Sequence, residues 1–367
     1  MKTGRNKQIV LSLIILIAVI VLAISLFLLY VFTDLLVCHH TWDYRNGVAA
    51  TCVSKGISPE QYCTKCGHLF KNGIFAGDSI DYCSVEHCTA HDKHEFALKV
   101  NEEDTNTCTI TGLGPDFVGK EIVIPAECMG KKVTHIGKSA FSSNKTVGVT
   151  SISFENAENL VCIENNAFYS AGFIEEMDLS NCTKLTLLDG AFQYCNNLTQ
   201  VILPDNLSVI GENTFFECEN LRTVIFGTES QLKEIGGRSF ADCDQLIAIK
   251  IPDSVVSIAF EAFAGCSKLQ EIVFGENSQL KEIGRAAFKR CTGITGITIP
   301  KKVEIINFEA FAYCTKLSSV VFADVNNWGI QSPISISVSS IDVSDVEKNA
   351  FNLLNSYCNS KWIKHIG

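Results

Sequence analysis

Positive charge is scarce in this chain of 367 residues: 30 Lys and Arg stand against 40 Asp and Glu, a formal net charge of -10. A polyanionic partner, whether nucleic acid or an anionic membrane surface, requires a basic face that this balance does not supply. Histidine is also sparse, and none occurs between His135 and His365. Over that stretch, acid–base chemistry that relies on an imidazole has no candidate. No Gly-x-Ser-x-Gly elbow is present. The run His91-Asp92-Lys93-His94-Glu95 places its glutamate outside the histidine pair, which is not the order of a zinc-protease helix. Residues Gly114 to Lys120 fit most of the phosphate-loop pattern. However, Glu121 stands where a metal-binding Ser or Thr is required, and a strand is expected over Ile122 to Ile124 where that motif needs a helix. These absences argue against an enzyme.

What the chain has instead is repetition. From about Val149 to Phe322 one phrase recurs: Leu-x-x-Val-x-Phe, a Gly or Pro turn, Ile-Gly, then Ala-Phe-x-x-Cys. Leu221 to Cys243 reads LRTVIFGTESQLKEIGGRSFADC and Leu246 to Cys266 reads LIAIKIPDSVVSIAFEAFAGC. Leu269 to Cys291 then returns almost verbatim to the first of these, so the unit is a pair of repeats. Phe168, Phe192, Phe215, Phe240, Phe263, Phe288 and Phe311 mark the beat, and the late spacing alternates between 25 and 23 residues as long and short turns alternate. A fixed period of this length means a solenoid, in which each unit packs only on its neighbours. Leu221, Val224 and Phe226 read as the inward set of a short strand. The strands are expected to stack into a parallel sheet, with short irregular or 3-10 returns carrying the Phe column. Regular phenylalanines are a packing demand and not evidence of catalysis.

Two segments precede the array. Lys2, Arg5 and Lys7 lead into an uncharged run from Ile9 to Phe32, closed by Asp34. At about 1.5 Å per residue the run would extend roughly 36 Å, more than the ~30 Å hydrocarbon core. It reads as a transmembrane helix over residues 9–33, with the basic tail of residues 1–8 in the cytoplasm and everything after Asp34 outside. A cleaved secretory signal would have a shorter apolar core, and bulky Val37 argues against a lipoprotein site at Cys38. Residues 34–95 then form a module crowded with cysteine and histidine. Cys63-Thr64-Lys65-Cys66-Gly67 has the form of a zinc knuckle. Four ligands are reached from the five candidates Cys38, His40, Cys52, Cys63 and Cys66. A poorer set follows with Cys83, His87, Cys88, His91 and His94. Disulfides are the competing reading of the same cysteines, since an extracytoplasmic location permits them. Residues 96–141 read as the cap on the open end of the array, residues 142–322 as the repeats and residues 323–367 as the closing cap, because end repeats otherwise expose their apolar faces.

The phrase C-x-x-L-x-x-I-x-I-P-x-x-V-x-x-I-x-x-x-A-F-x-x-C resembles the leucine-rich repeats of BspA-like surface proteins of bacteria and parasitic protists, over about Val100 to Phe322. The tail, with Trp328, Ile341-Asp342-Val343, Asn349-Ala350, Tyr357 and Lys361-Trp362, resembles the closing segment of bacterial members. His40-x-Trp42, Ala50-Thr51-Cys52 and Cys63-x-x-Cys66-Gly67 resemble small cysteine-rich modules of extracellular proteins from anaerobic bacteria. The resemblance implies a cell-surface adhesin or binding protein for a host protein, matrix or neighbouring cell, with no catalytic residue to carry over. It departs from the family pattern after Phe141, where Ser143-Asn144 replaces the Cys step. A passive coat protein and an anchored metal-dependent hydrolase are the competing classes.

Strand alternation then nominates a contact surface. The third and fifth places of each long strand point outward: Gln200 and Ile202, Thr223 and Ile225, Ala248 and Lys250, Glu271 and Val273, Gly296 and Thr298, Ser319 and Val321. Beta-branched residues there are ordinary strand chemistry, yet a contiguous apolar patch on a solenoid marks a protein contact. Cys195, Cys218, Cys243, Cys266, Cys291 and Cys314 occupy one column and are expected as free, buried thiols, since parallel neighbours point the same way. Sequons stand at Asn144, Asn181, Asn197 and Asn206.

Overall fold

A computed structural model describes residues 95–364 apart from 116, 155 and 335–337, together with the backbone of five short strands between residues 41 and 75. The chain divides into two compact units, residues 1–92 and 93–367. In the first, the five strands form an antiparallel sheet in the order Ala49–Thr51, Thr41–Asp43, Gln61–Cys63, Leu69–Lys71, Ile74–Phe75, with Cys63 in register with Trp42. The basic tail, the apolar run Ile9 to Phe32 and the side chains of Cys38, His40, Cys52, Cys63 and Cys66 lie outside the described residues. Among the described residues no helix is long and apolar enough to cross a membrane.

The second unit is a stack of coils, and each coil has three sides because its sequence has three parts. Leu-x-x-Val-x-Phe makes a long strand such as Thr223–Phe226, and the residue pair ending in Ile makes a two-residue strand such as Glu234–Ile235. The Ala-Phe-x-x-Cys segment is the return. The short strands pair in parallel without interruption from Cys162–Ile163 to Ile305–Ile306. After several of them stands a glycine whose freedom from Cβ is required: at Gly236 a Cβ would lie 2.5 Å from the Ile210 carbonyl oxygen.

Of the irregular or 3-10 returns the sequence suggests, those around Phe168 to Phe311 are irregular turns, and a 3-10 segment, Ser143–Lys145, follows Phe141. Residues two before and two after each phenylalanine hold left-handed φ, as with Asn213 (56°) and Glu217 (54°) around Phe215, and Arg238 (53°) and Asp242 (57°) around Phe240. A left-handed L-residue costs about 1–2 kcal/mol. Here the conformation turns alternate N–H groups toward the next coil. Asn213, Phe215 and Glu217 donate to the carbonyls of Gly237, Ser239 and Ala241 at 2.7 to 2.9 Å, and the next return repeats the pattern. These bonds form a third ladder and offset the strain.

That ladder fixes the phenylalanines. Phe141, Phe168, Phe192, Phe215, Phe240, Phe263, Phe288 and Phe311 are fully buried, and their rings stack in one continuous column with centroids 5.1 to 5.4 Å apart. Phe141 keeps its place in the column although Ser143-Asn144 replaces the Cys step after it. At the N-terminal end Phe96 lies edge-on to Phe141 at 6.3 Å, carried by the antiparallel pair Phe96–Val100 and Thr107–Leu113. The strand expected after Lys120 is present as Glu121–Val123.

The six cysteines of the repeat column are free and buried, and each has a partner that the sequence did not announce. The S–H of Cys218 donates to the Phe192 carbonyl at 3.1 Å, that of Cys243 to Phe215 at 3.2 Å and that of Cys291 to Phe263 at 3.0 Å. The same carbonyl accepts the backbone N–H of the cysteine in its own coil, as Phe240 does from Cys243 at 3.3 Å. Burial pushes the thiols of Cys218, Cys243 and Cys291 well above the usual range, and that of Cys314 up to about 12.

Past Phe322 the chain closes the stack by reversing direction. Lys361–Lys364 pairs antiparallel with Ile305–Ile306 on one side and with Trp328–Gln331 on the other. Lys364 Nζ meets Asp324 Oδ2 at 2.6 Å. A helix, Val346–Phe351, is capped by Asp345, whose carboxylate accepts from the N–H groups of Glu347 and Lys348.

Candidate interaction face

The long-strand side is the candidate site, and its form differs from the continuous sheet the repeats suggest. Val201, Val224, Ile249, Ile272, Ile297 and Val320 point into the core. Thr223, Ile225, Ala248, Lys250, Glu271, Val273, Thr298 and Val321 are exposed, while Gln200, Ile202, Gly296 and Ser319 are half-buried. The apolar exposure is substantial at Ile225 (42%), Val273 (37%) and Val321 (40%).

These strands fall into separate groups, the first of three strands, with Glu176–Asp178 joined to Gln200–Leu203, and the next two of two. Gln200–Leu203 joins Thr223–Phe226, Ala248–Ile251 joins Glu271–Phe274, and Gly296–Ile299 joins Ser319–Phe322. Among the described residues no ladder bridges one group to the next. The cause is the alternation of turns. A short-turn coil ends its strand in Leu203, Ile251 or Ile299, all fully buried, and follows it with proline. A long-turn coil ends in Phe226 or Phe274, which are only half-buried, and follows it with glycine. Phe226 and Phe274 thus correct the expectation of a fully inward sixth place, which holds at Phe322.

Where a long loop follows, at Phe226 and at Phe274, the short-turn coil supports it. Asp205 accepts the Glu229 N–H on Oδ1 at 2.9 Å and the Gln231 N–H on its backbone carbonyl at 2.7 Å. A Cβ at Gly227 would lie 2.0 Å from that Oδ1, and one at Gly275 equally close to Asp253. Only glycine admits the aspartate. The two-repeat period of the sequence is therefore a physical unit, and a groove remains between units. One groove is lined by Ile225, Phe226, Lys250 and Pro252, the other by Val273, Phe274, Thr298 and Pro300. Sequence reasoning named the exposed columns but missed the grooves. The Phe-Gly against Ile-Pro contrast was the signal that could have found them.

Two of the four sequon asparagines already use their amide nitrogens. Asn197 Nδ2 donates to the Gly172 carbonyl at 2.6 Å and Asn206 Nδ2 to that of Thr183 at 2.5 Å.

A family profile described as "BspA type Leucine rich repeat region (6 copies)" matches residues 120–246 and 233–360, which together take in more than half of the sequence. The chain belongs to the BspA-type leucine-rich repeat family. A search of curated proteins finds no significant match. Among solved structures, the leucine-rich repeat protein of T. pallidum is 18% identical, with 55% of this chain and 88% of that one covered and a TM-score of 0.36. A leucine-rich cell surface protein of Faecalibacterium prausnitzii is 20% identical, with 63% and 94% covered and a TM-score of 0.26. The pneumococcal vaccine antigen PcpA is 16% identical, with 64% and 82% covered and a TM-score of 0.32. Membership in the BspA-type family rests on the repeat itself, and its repeated Leu, Phe and Cys positions are the buried ones described above.

Proposed function

We propose that this BspA-type chain is a membrane-held, extracytoplasmic binding protein whose long-strand face takes a protein on a host cell, in matrix or on a neighbouring cell. The observation that carries the reading is the column of exposed Ile225, Val273 and Val321, aligned on one side of a rigid stack with Lys250 and Glu271 set among them. Buried columns are fully accounted for by packing, whereas this one leaves apolar surface in water, which on a protein surface marks a contact site. Strand propensity alone would be served by threonine, which occupies the same place at Thr298. The leucine-rich cell surface protein among the similar structures is in keeping with such a location, as is the uncharged run Ile9 to Phe32 behind a basic tail. The reading assigns the chain no catalytic residue.

The test is an adhesion screen in which cells expressing the full chain are presented with other cells and with immobilised matrix proteins. Binding that disappears when the target surface is treated with protease supports a protein partner. Binding that survives protease but not glycan removal would overturn that choice of partner. Protease added to intact expressing cells should remove the bulk of the chain and leave a membrane-held stub, whereas recovery of a mature form starting near Cys38 would refute the anchor.

A further inference from the structure

The returns carry charge of opposite sign toward the two ends of one face. Two residues past the column phenylalanines, Glu217, Asp242, Gly265, Arg290 and Tyr313 follow one another along the stack. Their backbones are bonded coil to coil: the Asp242 N–H donates to the Ala264 carbonyl at 2.7 Å and that of Arg290 to Ala312 at 2.8 Å. Glu219 and Asp244 stand two places further on, so the coils of Phe215 and Phe240 are acidic here. Arg285, Lys289 and Arg290 make the coil of Phe288 basic, and Lys316 is exposed on the next. Two charges of the wrong sign for this division are already answered within the face. Arg238 pairs with Glu261 at 2.6 Å, and Glu309 with Lys289 at 2.7 Å. Among the described residues Glu217, Glu219, Asp242, Arg285, Arg290 and Lys316 form no ion pair. Between the two blocks the surface is low: Ala241 and Ala286 are buried, and the Asp242 carboxylate lies across Gly265, where a Cβ would fall 2.0 Å from Oδ1.

We propose that this return face binds a second copy of the chain, antiparallel, about a two-fold axis that passes over Gly265. The proposal does not depend on the reading of the long-strand face. Charge complementarity selects the occupant, because that axis carries the acidic half of one copy onto the basic half of the other and makes every contact twice. A two-fold axis parallel to the stack would instead set acid on acid and base on base. The coil spacing permits the antiparallel register: ring centroids are 5.2 Å apart on the two steps before Phe263, and 5.3 and 5.4 Å apart on the two steps after it, so each coil meets a coil. Asp242 then faces Arg290 of the second copy. Tyr313, 62% exposed, meets the coil of half-buried Phe216 and adds apolar contact to ion pairs that contribute little when exposed. Within one copy Asp242 and Arg290 stand two coils apart, roughly 10 Å, which is about the screening length in physiological salt, so the blocks answer each other poorly in the free chain. With a net charge of -10, copies meeting in other orientations repel. The contact runs over five coils, roughly 20 Å, which places it among the small, transient interfaces of less than about 1,200 Å².

The test is sedimentation velocity of the full chain in detergent, over a range of protein and salt concentrations. The expected result is a reversible dimer that weakens as salt rises. Asp242→Arg and Arg290→Asp each turn both symmetry-related contacts into like-charge pairs, and each should weaken self-association about a hundredfold or more. An equimolar mixture of the two variants should associate again, because the new arginine of one then faces the new aspartate of the other and the two unchanged residues face each other. That recovery also shows both variants to be folded. A chain that is monomeric at the highest concentration reached, a dimer indifferent to both substitutions, or a mixture that does not recover would overturn the proposal. Adhesion of cells expressing the parent and the Asp242→Arg chain is measured in parallel. If the chain is monomeric while that variant loses adhesion to other cells, the face belongs to a different protein and the second copy falls.

Discussion

Replacing Phe240 by alanine removes a ring from the middle of the column. The ring is fully buried, and its neighbours Phe215 and Phe263 each lie 5.2 Å away, inclined by 15° and 3°. Core Phe→Ala changes cost about 3–5 kcal/mol, and the cost rises when the site cannot collapse. Here it cannot. The Phe215 N–H is held by Ser239 at 2.7 Å and that of Phe263 by Ala287 at 2.8 Å, so the return ladder keeps the neighbouring rings in place around the gap. The loss of two ring contacts adds to the penalty, which puts the expected value near the upper end, about 4–5 kcal/mol. A folded protein holds only about 5–15 kcal/mol in total. Phe240→Leu, which keeps most of the volume, should cost about 1–2 kcal/mol. Urea unfolding of both variants, followed by circular dichroism, gives the numbers. A loss below about 2 kcal/mol for the alanine variant would show that the column relaxes freely and that the ladder does not hold it.

Other outcomes follow from the same geometry. In native protein at pH 8, Cys218, Cys243 and Cys291 should resist alkylation, because burial raises their thiols and each S–H is engaged by a phenylalanine carbonyl. Denaturation should expose all of them, and mass spectrometry that finds disulfides in the column would contradict this. Lys364 and the Asn326 amide hold Asp324 down to about 2, against an ordinary 3.8. A depressed carboxylate contributes stability above its unfolded value, and that contribution is lost as pH falls toward 2. Asp324→Asn should therefore unfold at lower denaturant than the parent at pH 7, with the gap closing near pH 2. An equal gap at both would count against the Asp324–Lys364 link. Gly236→Ala should be strongly destabilising, since the new methyl meets the Ile210 carbonyl at 2.5 Å. Parent-like thermal unfolding of that variant would mean that the coils can move apart there.

The period, the Phe column and the buried cysteines were legible because each is a nearest-neighbour demand repeated many times, and repetition averages out local ambiguity. The left-handed returns were not. Asn166 and Asn213 suit such a conformation, but Arg238, Glu261 and Glu309 do not. Those residues adopt it because the hydrogen bonds to the next coil over-determine it, and that information lies between coils and not within a window of sequence. The candidate face divided in the same way. Alternation placed Thr223, Ile225, Lys250, Glu271, Val273, Thr298 and Val321 on the surface correctly. Gln200 and Ile202 are half-buried, on the middle strand of the one three-stranded group among the described residues. The grooves escaped notice because they turn on whether Phe-Gly or Ile-Pro ends the strand, a contrast at one place that a hydrophobic pattern scores as equal.

The central claim, that the long-strand face is where a protein partner binds, is tested most directly by comparing cells that express the parent chain with cells that express the Ile225→Asp, Val273→Asp chain at equal surface level. Both positions are exposed, so the fold should be unchanged, and partner binding should fall by about a hundredfold or more, as expected for two desolvated apolar anchors at roughly 1.4 kcal/mol or more each. Binding equal to the parent's by the double variant, with the stack intact, would place the partner elsewhere on the chain.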